Sequence, residues 1–291
     1  MLNLEQLAEL LEKNREAAKA RVQEFSIGAK HFAFNTKPHI MGVINLSPDS
    51  WYRESVCLST EQAVRRGQRL ALQGADIIDI GAESTLAHAS RAGDALQKSR
   101  LLPVLEGLRD EILSVETYST EIAERALAAG AKVLNLTGSD EKLYSVAAAH
   151  DAVVIICYVQ GPNVREVGDF LMKGDVVASM HDYFARQIEI ATRAGVKKIL
   201  IDPGLGFYYR NLQDSAARVR HQISTFLNTF RLRTLGFPVC HALPHAFEYF
   251  GDEVRSAEPF FGVLAALGKT DLFRTHEVPK TKAVLDVLGL L

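Results

Sequence analysis

The 291-residue chain is poor in cysteine, and the three it has, Cys57, Cys157 and Cys240, form an odd set without close spacing. That pattern argues against a disulfide framework or a thiolate zinc site and fits reduced thiols in the cytoplasm. No apolar stretch reaches the ~20 residues of a membrane span, and the amino terminus lacks a signal-peptide pattern, so neither a membrane partner nor export is expected. Neither sign of charge dominates, since 33 Lys and Arg face 35 Asp and Glu, for a net charge of −2. A nucleic-acid partner, which calls for a basic field, is therefore not expected. A linker rich in Pro, Gly or Ser is also missing, so one domain is expected over residues 1–291.

What the chain does have is a repeated unit of apolar run followed by polar tip. The runs end at Asn45 (HIMGVINLSPDS), Asp79 to Thr85 (DIIDIGAEST), Glu116 (ILSVETYS), Asn135 (KVLNLTG), Tyr158 to Gln160 (VVIICYVQG), Asp202 (KILIDPGLGF), His241 to His245 (FPVCHALPH) and Arg274 to His276 (LFRTHEV). Wholly apolar runs suit parallel strands buried on both faces. Helical stretches separate them, and three of these end at Gly74, Gly130 and Gly195, where glycine can close a helix in the left-handed conformation. Eight such units predict a closed (β/α)8 TIM barrel over about 38–291, with an extra amphipathic helix before it over about 3–24. The polar tips then gather at the carboxyl ends of the strands, where barrel chemistry takes place.

The motifs MGVINLSPDSW, IIDIGAEST, SVETY, IDPGLGF and RTHEV occur in this order and are identified as those of a divergent member of the dihydropteroate synthase family of pterin-binding barrels. The resemblance runs from about Ile40 to the end. It implies a transferase that joins the methylene of a 6-hydroxymethyl-dihydropterin pyrophosphate to the amine of para-aminobenzoate, releasing pyrophosphate with Mg2+. It also implies a homodimer through the carboxyl-terminal helices and a pterin or folate as small-molecule partner.

Each tip can be weighed by its chemistry. Asp202 only accepts hydrogen bonds, which suits the two parallel donors of an aminopyrimidinone, and the resemblance assigns it to the pterin. It could instead cap the turn that follows. Asn135 donates and accepts at once, as a ring edge of alternating character requires, or it satisfies a loop backbone. Glu116 stands where the family has aspartate, so its carboxylate is displaced by about an ångström; it is a pterin ligand or the ion-pair partner of a strand-tip cation such as Arg274. Asn45 is implied as the Mg2+ contact, conditional on pyrophosphate because one neutral oxygen makes a weak magnesium site. Arg274 and His276, two apart, are expected to point the same way and to hold the leaving pyrophosphate as the catalytic pair, His276 as a donor whose charge varies near neutral pH, unless they pair with Glu116 or Asp79. Ser84, Thr85 and His245 are the implied loop contacts.

The departures matter as much. The family's Ser-Arg-Lys after strand seven is replaced by a stretch in which His245 stands nearest the lysine, and its Thr-Arg-Pro becomes Thr85-Leu86-Ala87. His241 and His245 are four apart, but Pro244 argues against a helix presenting both to a metal. Besides the synthase, two readings stay open: a member that binds a pterin or folate without synthase turnover, and a methyl-folate methyltransferase relative.

Overall fold

The computed structural model describes residues 2–50, 52–86, 89–172, 174–207, 209–212 and 215–290. Trp51 and Ala87, which fall in two of the motifs above, lie outside them. The chain begins with α1 (Leu4–Lys13), whose first turn is closed by a reciprocal cap between Asn3 and Gln6. The helix expected over about 3–24 thus ends at Lys13. Beyond it Val22 is buried, and its N–H and C=O are bonded by the Asn35 side chain at 3.0 and 2.8 Å, so tertiary burial overrides helix propensity. A short antiparallel hairpin follows, β1 (Phe25–Ile27) with β2 (Lys30–Phe32).

Eight parallel strands then form the barrel: β3 (His39–Asn45), β4 (Ile77–Gly81), β5 (Leu113–Thr117), β6 (Val133–Leu136), β7 (Val153–Cys157), β8 (Lys198–Asp202), β9 (Cys240–Ala242) and β10 (Leu272–Thr275). Pairing runs unbroken from β8 back through β3 and on through β10 to β9, and the Ile201–Val239 bridge closes the ring. All eight expected strands are present. Between and after them lie α2 (Thr60–Leu72), α3 (Asp94–Gly107), α4 (Thr120–Ala128), α5 (Lys142–Ala149), α6 (Val176–Arg193), α7 (Ser215–Leu227), the short α8 (Thr229–Leu232) and α9 (Phe247–Phe250), α10 (Ala257–Leu267) and α11 (Val278–Leu288). Gly74, Gly130 and Gly195 take φ of 104°, 106° and 98°, as the helix ends require. Among the described residues no helix is long and apolar enough to cross a membrane.

The alternation of side chains along a strand builds the site. Ile78, Val115, Leu134, Ile201 and Phe273 face the helices in the main core, while Ile77, Val133, Leu200 and Leu272 pack with the hairpin residues Ile27 and Phe32 in a second cluster inside the barrel. The hairpin, not α1, therefore closes the amino-terminal end. Two residues further along, on the same inward face, the chain places Asp79, Asn135, Asp202 and Arg274. An apolar layer thus supports a polar one.

Candidate active site at the barrel mouth

The polar layer is built around Arg274. Its Nε lies 2.7 Å from Asp79 Oδ2 and its Nη2 lies 2.5 Å from Glu116 Oε2, so the guanidinium bridges β4 and β5 from β10. Asp79 is fully buried and also accepts from Ser114 Oγ at 2.6 Å and Asn135 Nδ2 at 3.2 Å. Burial works against the charge of Arg274, but Asp79 and Glu116 outweigh it and hold it cationic. Three carboxylates surround one guanidinium, however, and the excess shows in the proton affinities of Glu116 and Asp202. Burial, with help from Asp79 and Asp202, raises Glu116 to about 7 although Arg274 pulls it down. Burial likewise raises Asp202 to about 6 against the Gly204 N–H and Arg274.

Asp202 Oδ1 accepts the Gly204 N–H at 2.7 Å, so the turn-capping role is present. Glycine is needed at that turn: φ is +74°, and a Cβ would stand 2.8 Å from the Tyr158 carbonyl oxygen.

The rim carries a second cluster. His276, one residue past the end of β10, presents Nδ1 to Glu258 Oε1 at 2.7 Å. His245 brings Nε2 to 3.0 Å from the same oxygen, outside hydrogen-bond geometry. Tyr52 lies against both rings, with centroids 4.6 Å from His245 and 4.7 Å from His276, and its hydroxyl donates to Glu277 Oε1 at 2.6 Å. Burial lowers His276 to about 4, below the neutral range, although Glu258 works the other way. Glu258, though buried, is held below the usual carboxylate range by His276 and His245.

Asn45, Ser84, Thr85, Glu116, His245, Arg274 and His276 line one cavity, together with Tyr52 and Glu83. Asn135 and Asp202 are not among its lining residues; they are buried in the floor beneath. Asn45 donates from Nδ2 to Ser55 Oγ at 2.6 Å, and Ser84 Oγ donates to the Asp49 carbonyl at 3.2 Å. Arg274 and His276 share the cavity, and each is engaged by carboxylate: Arg274 by Asp79 and Glu116, the pairing left open above, and His276 by Glu258. His241 points the other way, its Nε2 2.8 Å from Thr229 Oγ1, so it forms no pair with His245.

Sequence reasoning passed over Tyr52, Glu258 and Arg165. Buried Arg165 donates to the Ser84 and Ala89 carbonyls and shapes the second loop. Glu258 did leave a signal, as the single charge in the apolar helix AEPFFGVLAAL.

A parallel barrel with a donor-hungry floor and a cationic centre at its carboxyl mouth defines a TIM-barrel protein built to take a small polar molecule there. Residues 41–241 match the family described as pterin binding enzyme, and the chain belongs to that family. It is 28% identical to a dihydropteroate synthase of Synechocystis over 282 residues, covering 91% of this chain and 94% of that one. Among solved structures, the Xanthomonas albilineans dihydropteroate synthase with 4-aminobenzoic acid is 29% identical with a TM-score of 0.77, covering 92% of this chain and 97% of that one. The Thermus thermophilus enzyme in complex with 6HMPPP is 26% identical with a TM-score of 0.74, covering 92% of this chain and all of that one.

Proposed function

We propose that this protein acts as a dihydropteroate synthase, condensing 6-hydroxymethyl-dihydropterin pyrophosphate with para-aminobenzoate in folate biosynthesis. The observation that carries this is the acceptor-rich floor, in which Asp79, Glu116 and Asp202 share one guanidinium. A pterin ring supplies the missing donors from its ring N–H and exocyclic amine to Asp202 and Glu116, while Asn135 reads an edge of mixed character. In the reaction the amine nitrogen bonds the pterin methylene, the carbon–oxygen bond to pyrophosphate breaks with its electron pair leaving on oxygen, and the amine loses a proton. The reading gives Arg274 and His276 the task of steadying the departing anion, with Ser84, Thr85 and His245 as loop contacts. Arg274 does this by exchanging a carboxylate for a phosphate oxygen.

Magnesium fits this reading only together with pyrophosphate. Asn45 Nδ2 is tied to Ser55, which leaves Oδ1 as its one possible metal contact. When bound, the ion offsets pyrophosphate charge. Exposed Phe260, Leu267 and Val287 on α10 and α11 support a homodimer through the carboxyl-terminal helices, testable by light scattering. Three buried free cysteines support a reducing, cytoplasmic setting.

Purified protein with the pterin pyrophosphate, para-aminobenzoate and Mg2+ is expected to form dihydropteroate and release pyrophosphate in equal amounts. A second reading, binding without turnover, is favoured by one observation: Arg274 is occupied by two carboxylates, and Arg255 at the same rim by Glu277 at 2.6 Å. Calorimetric pterin binding without product would select it.

A further inference from the structure

We propose that His245, Glu258 and His276 bind one divalent transition-metal ion of the zinc class at the rim of the mouth. The three come from separate elements: the segment after β9, helix α10 and the tip after β10. Their ligand atoms all lie within 4.8 Å of one another. The Glu258 carboxylate is pinned at Oε2 by backbone and hydroxyl donors, while Oε1 meets only imidazole nitrogens. Oε2 accepts from the His276 N–H at 2.8 Å, the Glu277 N–H at 3.0 Å and the Thr275 hydroxyl, which directs Oε1 between the two imidazoles. Such outer contacts are what orients a metal-ligating carboxylate.

An independent observation comes from His245. The residue is 7% exposed, yet Nε2 has no hydrogen-bond partner although it faces Glu258 Oε1. A buried ring nitrogen beside a carboxylate oxygen but without a hydrogen bond to it is destabilising, and an ion coordinated by both would remove that cost. Tyr52 stacks on His245 at an interplanar angle of 18° and packs at 32° on His276, so the rings are held by packing independently of their nitrogens.

Two imidazoles and a carboxylate select a borderline ion such as Zn2+ or Co2+ over Mg2+, which prefers oxygen alone. Ligands about 2.1 Å from a tetrahedral ion lie roughly 3.4 Å apart, so the present 2.7 and 3.0 Å separations need to open by about half an ångström. Both histidines line the cavity shared with Arg274, and the fourth position would open toward it. Three protein ligands with one open position is the arrangement of a reactive metal centre. The site is separate from Asn45 but shares His245 and His276 with the folate reading, so metal uptake is tested without any pterin.

The test uses the full chain, stripped with a chelator and titrated with Co2+ in the absence of any pterin. The expected result is one ion per chain, visible bands of a four-coordinate Co2+, displacement by Zn2+ and none by excess Mg2+. His245→Phe keeps the ring stack on Tyr52 and removes the nitrogens; it is expected to weaken binding at least tenfold. Absence of saturable one-to-one uptake by the unmodified protein overturns the proposal whatever the variant does. So does unchanged affinity in a folded His245→Phe protein.

Discussion

Replacing Arg274 by Ala is expected to lower the free energy of unfolding by about 3–5 kcal/mol at pH 8, the cost of leaving buried carboxylates without their partner. The guanidinium touches both Asp79 and Glu116, and its field reaches Asp202. The loss should depend on pH in a definite direction. Glu116 already sits near 7, above its ordinary 4.5, so in that window the folded chain holds a proton that the unfolded chain has released. Stability from this group is present below about 4.5 and falls as pH rises through about 7. Removing Arg274 pushes the folded value higher still, which widens the window upward. Urea unfolding should therefore show a deficit that is largest at pH 8 and shrinks toward pH 5, where the carboxylates take up protons. An equal deficit at both would assign the role of Arg274 to packing.

The same carboxylates show why much of the site could be read from the sequence and why some could not. A run such as KILID is apolar until its last residue, which marks Asp202 as a strand tip, and alternation puts it on the face of Leu200, the inward one. Glu116, Asn135 and Arg274 follow by the same argument, because each strand buries both faces. Depth was not legible. Alternation gives direction but not reach: Glu116 and Asn135 are directly opposite on β5 and β6, yet Glu116 lines the cavity and Asn135 does not. The rim cluster was illegible for another reason. Glu258 sits on a helix 18 residues from His276 and meets it only after the chain returns to the barrel. The hairpin escaped because three-residue strands are too short to display a period. The first helix was overextended because Ala17 to Ala20 favours helix locally, whereas burial of Val22 decides the outcome.

Pterin affinity is expected to fall by about 1.5–3 kcal/mol, ten- to a hundredfold or slightly more, when Asp202 becomes Asn. The substitution keeps an oxygen for the Gly204 N–H, which now lies 2.7 Å from Oδ1, so the turn should survive. What it removes is a charged acceptor facing two parallel donors, and it puts an N–H2 where one of those donors would point. A pH series separates this from a general loosening of the floor. Burial raises Asp202 to about 6, so below that pH the carboxyl carries a proton and accepts poorly from a ring N–H. Binding of pterin-6-carboxylate to the unmodified protein should strengthen from pH 5 to pH 8, with a step centred near 6. Protons are released on binding in the lower part of that range, which calorimetry in buffers of different ionisation enthalpy detects. Asn has no proton to lose, so its variant should lack the step near 6 while keeping any slope that Glu116 contributes near 7. Equal affinity and an unchanged profile in Asp202→Asn would confine Asp202 to capping its turn, and the ring would then have to be read by Glu116 and Asn135 alone.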